Sequence, residues 1–290
     1  MTGFGLSHGA VSLVNGIICG IGSTVGVGLR TEARFAVGGK TRKVNISNDP
    51  LEDTSMAMVC VSEAHAALGR EEPFGWALDV TSQIPISRGL KSSSSACNAI
   101  IMAVFDHLGH IADPLDVVTL GVRCARRAGV TVTGAFDDAC GCHLGGIIVT
   151  DNSTDTIVSH TPLGEFEVVI KVPDVKIRND GLPLGTLKSE KGLARGCADM
   201  AAMDPFNAMT VNGKIVSKAL GFDDSWADTA LEYGALGAGV SGTGPAIAAV
   251  FRIGESGRFI KNHGDSCIIT STRDAAVIYS TGSRGKETWK

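Results

Sequence analysis

The stretch Gln83–Asp106, QIPISRGLKSSSSACNAIIMAVFD, decides how the rest of the chain reads. Pro85 and the Gly89-Leu90 pair mark a turn, four serines follow at Ser92 to Ser95, and an apolar run begins at Ala96. Ala96, Ala99, Ile100, Ala103 and Val104 recur at helical spacing, which starts a helix at the serines. Serine at a helix start caps free backbone N–H groups. A helix start behind a glycine turn is also an anion site, because its unpaired N–H groups and the positive end of the helix dipole converge on one point. The four serines alone fit a capped core helix as well as a phosphate loop. Around them stands the wider pattern Pro85-x-x-x-Gly89-Leu90-x-Ser92-Ser93.

Outward from that loop, composition narrows the function classes. The 290 residues suffice for one large or two modest domains with a real core. Hydrophobic content of 44% and charged content of 19% describe an ordinary soluble globular protein. The formal net charge of −4 gives no basic field for nucleic acid or a membrane surface, so an anionic ligand needs a local site. The N-terminal MTGFGLSHGAVSLVNGIICG has no basic flank and is dotted with glycine and polar residues, so it reads as a buried strand and turn rather than a signal peptide. No polar-free stretch has the length of a membrane span. The eight scattered cysteines read as reduced thiols of a cytoplasmic protein. Cys140-Gly-Cys142-His143 invites a metal reading but lacks a second pair at zinc spacing.

Residues 9–15 and 27–37 read as strands around the turn Gly20-Ile21-Gly22. Gly39-Lys40-Thr41 is no P-loop, since the first glycine of that motif falls on Arg34. Asp53 or Thr54 caps a helix from Ser55 to Leu68, closed by Gly69, and residues 76–84 form the strand that delivers the chain to the serines. Asp113-Pro114 opens a helix with Leu115, Val118, Val122 and Ala125 on its buried face, ended by Gly129. A strand at 147–150 precedes the polar cluster 151–155, taken as the boundary between domains 1–155 and 156–290. The second half reads as a β-rich run from Glu167, helices over 186–203, 205–220 and 224–233, a glycine loop, a strand at 246–251, a helix near 255–262, a strand at 266–270 and a loose polar tail from Gly282. Residues 237–242 satisfy G-x-G-x-x-G, but they precede a strand, which excludes a dinucleotide site and the oxidoreductase it would imply. The mixture of strands and helix pairs indicates an α+β protein.

Three separated segments resemble the GHMP small-molecule kinases: Ser7-His8-Gly9-Ala10-Val11 to Asn15, residues 85–95, and Gly237 to Pro245. The GLKSSS version of the middle motif, with Lys91 where most branches have glycine, is similar to the archaeal shikimate kinases. The resemblance implies a two-domain α+β fold, its N-terminal half like the second domain of ribosomal protein S5 and its C-terminal half α/β, with the active site between them. It also implies ATP and Mg²⁺, a small hydroxylated acceptor (shikimate before homoserine), and a nucleotide loop of Pro85, Arg88, Gly89, Leu90, Lys91 and Ser92 to Ser95. Ser93 would hold Mg²⁺ or, on the plainer reading, cap the helix. Lys91 fits a phosphate contact and a solvated loop lysine equally.

Phosphoryl transfer needs a carboxylate to orient the acceptor hydroxyl and receive its proton. By family position that is Asp137 of the Asp137-Asp138 pair, with Asp138 second in line; two acids beside a glycine-threonine turn also fit a capping loop. His8, Asn15, Gly242, Thr243 and Gly244 fall in motifs that the resemblance places beside the substrates. Arg178 and Arg195 are candidates for a bidentate grip on the acceptor carboxylate, or are ordinary surface arginines. Two departures stand out. There is no lysine before Lys40, where some relatives carry one that activates the aspartate, and Gly121 to Arg127 offers no acid for the metal. A non-catalytic binding relative remains the alternative from another class. Nothing in the sequence bears on oligomeric state.

Overall fold

The chain starts with two long strands whose glycines let a helix lie directly on them. In a computed structural model, which describes residues 2–131, 134–177 and 182–285, β1 runs Gly3–Val14 and pairs antiparallel with β2, Ile21–Val37. Between them α1, Gly16–Cys19, makes one turn, capped by Asn15 and closed by Gly20 in the left-handed region. A Cβ on Gly3 or Gly5 would sit 2.1 or 2.0 Å from the carbonyl oxygens of Ala103 and Ala99, so these positions admit the helix backbone only as glycine. That helix is α3, Ser92–His107, the apolar run read from the sequence.

The chain continues with β3 (Arg42–Ile46), α2 (Ser55–Ala67), β4 (Trp76–Ser82), α3, α4 (Pro114–Arg127), α5 (Phe136–Leu144), β5 (Ile147–Asp151) and β6 (Thr156–Thr161). The first sheet has the order β3-β4-β2-β5-β6, with β1 along the other side of β2. Under it, α2, α3 and α4 bury Phe35, Trp76, Ile100, Val104 and Phe105. Asp113 caps α4 by accepting from the Leu115 N–H at 2.8 Å, and Pro114 occupies its first turn. Leu115, Val118, Val122 and Ala125 are buried, as their spacing requires. At the start of α2, Asp53 accepts from the Ser55 N–H at 2.9 Å, while Thr54 makes no side-chain cap.

The second half contributes β7 (Glu167–Lys171), α6 (Leu184–Ser189), α7 (Lys191–Ala201), α8 (Pro205–Leu220), α9 (Ser225–Glu232), β8 (Gly237–Val240), β9 (Ile247–Phe251), α10 (Gly257–His263) and β10 (Ile268–Ser271). Its antiparallel sheet has the order β10-β7-β9-β8, packed on the helices through Trp226, Phe251 and Phe259.

Several details differ from the sequence reading. The polar cluster 151–155 is the hairpin turn between β5 and β6 in one sheet, so the change of sheet falls between β6 and β7. The tail from Gly282 is tied down as far as it is described, to residue 285, and so is the segment before it. Gly282 N–H donates to the Ile157 carbonyl at 2.6 Å, and Tyr279 lies parallel to His160, its hydroxyl donating to Asp113 at 2.9 Å. The glycine-rich 237–242 is itself strand followed by a hairpin loop.

Candidate active site

The three separated segments meet at one seam. Ser12 of β1 donates its N–H to Ser241 Oγ at 3.0 Å, and its own Oγ accepts from the Gly242 N–H at 2.9 Å. Asn15 donates from Nδ2 to the Gly242 carbonyl at 2.8 Å. Ser241 Oγ in turn donates to the Gly89 carbonyl at 2.8 Å, and the Ala246 N–H donates to the Arg88 carbonyl. Gly89 has φ 83°, and a Cβ there would lie 2.2 Å from the Ser241 carbonyl oxygen. Only glycine satisfies both the conformation and the approach.

This seam borders a cleft of about 390 Å³ lined by Asn15, Gly89, Lys91, Ser92 to Ser94, Asp137, Asp138, Gly242 and Thr243, with Ile46, Met56, Val80 and Ile177 on its apolar side. Ser87, Gly89 and Lys91 all have positive φ, alternating with residues that do not. Such alternation turns successive backbone N–H groups to one side and forms an anion nest, here feeding straight into the N-terminus of the 16-residue α3. Left-handed backbone at non-glycine residues costs of order 1 kcal/mol or more each.

Across the cleft stand the two acids, in the first turn of α5. That turn starts at Ala135 without a side-chain cap, and the two carboxylates complement the exposed end of the dipole. Asp137 is only 4% exposed. Its Oδ1 accepts from Asn152 Nδ2 at 2.8 Å, and its carbonyl accepts from Thr24 Oγ1 at 2.9 Å. Burial and then the repulsion of Asp138 push its carboxyl up to about 7, against the opposing pull of Lys91 and Asn152. Asp138 pairs with Lys91 Nζ at 2.8 Å, the two side chains 21% and 6% exposed. Burial works against the Lys91 charge, but the carboxylates of Asp138 and Asp137 outweigh it and hold the ammonium above its ordinary value. A solvated loop lysine is therefore not what Lys91 is; it is a buried cation set against the acid pair.

Other residues singled out from the sequence fall elsewhere. Leu90 and Ser95 are core positions, and Pro85 does not line the cleft. The Arg88 guanidinium turns to Asp174 at 3.3 Å. Gly244 lies outside the lining, in the loop before the cis peptide at Pro245, where its N–H donates to the Ser241 carbonyl. His8 is off the cleft; burial, with Arg273 and Arg30 nearby, lowers its imidazole to about 4 and keeps it neutral. Arg195 is exposed on α7, away from the cleft. Arg178 lies outside the described residues, although Ile177 before it lines the cleft. Cys140 and Cys142 are buried thiols, and burial raises the pKa of each. Among the described residues no group of three or more His, Cys, Asp or Glu side chains is arranged to hold a metal ion. Sequence reasoning missed Ser12, Gly22 and Asn152. Asn152 sat in the polar cluster taken as a boundary, where nothing local tells a turn residue from a partner of a distant acid.

Residues 55–146, from α2 through the acid pair, match the family described as GHMP kinases N terminal domain. The chain is 36% identical to a shikimate kinase of Methanosarcina acetivorans over 97% of its own length and 98% of that protein. It is 38% identical to one from Methanococcoides burtonii (86% and 87% covered) and 33% identical to one from Pyrococcus abyssi (86% and 92%). In shape it is similar to the mevalonate kinase of Methanococcus jannaschii, with a TM-score of 0.76 at 16% identity over 94% of this chain and 98% of that one. A galactokinase from Lactococcus lactis, complexed with galactose, gives 0.71 at 16% identity over 96% and 95%. At that identity the two structures bear on the fold alone. No helix among the described residues is long and apolar enough to cross a membrane.

Proposed function

Because the chain belongs to the archaeal shikimate kinases, a branch of the GHMP kinases, we propose that it transfers the γ-phosphoryl group of ATP to a hydroxyl of shikimate, giving shikimate 3-phosphate. The observation that carries this reading is the pairing of an anion nest with a buried acid pair across one cleft, bridged at 2.8 Å by Lys91 and Asp138. Phosphoryl transfer asks a protein for position and charge neutralisation rather than covalent help. Those are the two things this cleft supplies.

The nest and the α3 N-terminus hold the nucleotide phosphates through backbone N–H groups, with Ser92, Ser93 and Ser94 at the same end. Asp137, whose carboxyl sits near neutrality, accepts the proton of the acceptor hydroxyl. As that oxygen bonds to the γ-phosphorus, the bond from phosphorus to the bridging oxygen breaks and ADP leaves with the electron pair. Lys91 neutralises Asp138, so one acid stays charged while its neighbour keeps a proton affinity suited to a base. It brings a cation to the acids from the phosphate loop, in a chain whose first motif has no lysine. The hydroxyls of Ser92 to Ser94 border the same cleft. They are the hard oxygen donors that Mg²⁺ takes alongside nucleotide phosphates, so these residues, Ser93 first, suit that ion. When bound, Mg²⁺ would neutralise phosphate charge. For the acceptor carboxylate, the candidate that stays is Arg178, since Arg195 is exposed and does not line the cleft.

Mass spectrometry of the product from ATP and shikimate tests the proposal. The expected result is a monophosphorylated shikimate formed only with the protein present; an unmodified acceptor after exhaustive incubation would overturn it.

A further inference from the structure

The amide of Asn152 cannot be flipped without loss. Its Oδ1 accepts from the Asp137 backbone N–H at 3.2 Å and from Thr150 Oγ1 at 2.7 Å, while its Nδ2 donates to Asp137 Oδ1 at 2.8 Å. A backbone N–H only donates, so the atom facing it must be the amide oxygen, and the nitrogen is thereby aimed at the carboxylate. The ends of this clamp are fixed as well. The Asn152 N–H donates to the Gly20 carbonyl at 2.9 Å, Asn152 and Thr150 are buried, and a Cβ on Gly16 would come within 2.4 Å of Nδ2. Asn152 does not line the cleft.

Resting on the reading of Asp137 as the base, we propose that Asn152, oriented by Thr150, is the positioning residue of that base. It holds the carboxylate at one rotamer through a side-chain bond and a backbone bond at once, and it stabilises the ionised form that must be present before the acceptor binds. The clamp comes from β5 and its turn, and neither Asn152 nor Thr150 is in the cleft lining. It therefore acts on the base without touching nucleotide or acceptor. The charged groups that face Asp137 are Asp138 beside it and Lys91 from the loop, with the Cys140 and Cys142 thiols of α5 also close. All of these stay in place when Asn152 is changed.

The test uses Asn152→Leu, close in shape but unable to hydrogen-bond, and Thr150→Val, which removes only the hydroxyl that orients the amide. A hydrogen bond to a carboxylate favours its charged form, so its loss raises the pKa. For Asn152→Leu the expected result is a kcat lower by about tenfold or more, an ATP KM within about twofold of the parent, and an acidic limb of kcat/KM moved above its parent position near 7. Thr150→Val should move the limb the same way by less, and it carries the test alone if Asn152→Leu does not fold. A merely structural role would lower the unfolding midpoint and leave the limb where it was. An unmoved limb in the folded variants overturns the proposal while Asp137→Asn remains inactive. Activity in Asp137→Asn would instead remove the base assignment on which it rests.

Discussion

Replacing Gly22 by alanine tests the geometry around the base with the smallest perturbation available. Gly22 lies in β2 opposite Thr150, and its backbone is not in the left-handed region, so alanine meets no conformational objection. The objection is contact. An added Cβ would stand 2.2 Å from Asp137 Oδ2 and 2.4 Å from its Cγ, where ordinary contact begins at 3.4 Å. The carboxylate would have to withdraw by about 1.2 Å, yet Asn152 holds its Oδ1 and Thr24 holds the backbone behind it. A misplacement of about 1 Å at a reacting group costs roughly 10²-fold in rate, and overpacking a buried site costs about 1–3 kcal/mol of stability. Gly22→Ala should thus fold, bind ATP with a near-parental KM because the phosphate loop is untouched, and turn over about 100-fold more slowly. Steady-state ADP release, with a thermal melt to show a cooperative fold, reads all three. A folded Gly22→Ala enzyme with kcat within about threefold of the parent would refute the placement of Asp137 as base.

Other outcomes follow from the same contacts. Lys91→Met leaves Asp138 without its buried partner, so stability should fall by about 3 kcal/mol, read by denaturant unfolding. Asp137 should also become harder to ionise, shifting the acidic limb of the rate profile upward. In the parent enzyme kcat/KM should rise with pH through about 7 as Asp137 loses its proton, because a base must be deprotonated to act; a flat profile from pH 5.5 to 8.5 (a range on the order of that needed to span the limb) would contradict this. Gly89→Ala forces a Cβ against the Ser241 carbonyl at a positive φ, so ATP KM should rise by about tenfold or more while shikimate KM changes little. Isothermal titration with a non-hydrolysable nucleotide separates that from an effect on chemistry.

What was legible in the sequence was local. The turn before α3 and the start of that helix were legible because proline, a glycine-leucine turn and serines before a helical repeat are short-range signals, and Asp113-Pro114 started α4 for the same reason. The start of α5 had no such signal. Ala135 occupies the cap position in the left-handed region with no side-chain bond, so the acids read as well as a loop as a helix turn. β3 is an edge strand of sequence RKVNI, too polar to alternate visibly, and its partner β4 lies more than 30 residues away. Burial of Lys91 was equally hidden, since lysine is expected outside unless it is paired, and its partner Asp138 comes from another helix. Asn152 acquired its role only when the β5 turn folded against α5.

The most direct test of the central claim is coupled ADP release across shikimate, homoserine and mevalonate, run side by side with the parent enzyme and Asp137→Asn. A site built to hydrogen-bond a polyhydroxylated ring leaves its own polar groups unpaired with a simpler acceptor and rejects it by orders of magnitude. The account predicts turnover with shikimate, little with the other two, and loss of about 10²-fold or more in kcat for Asp137→Asn at unchanged ATP affinity. Equal turnover of homoserine and shikimate, or no turnover of shikimate, would contradict it.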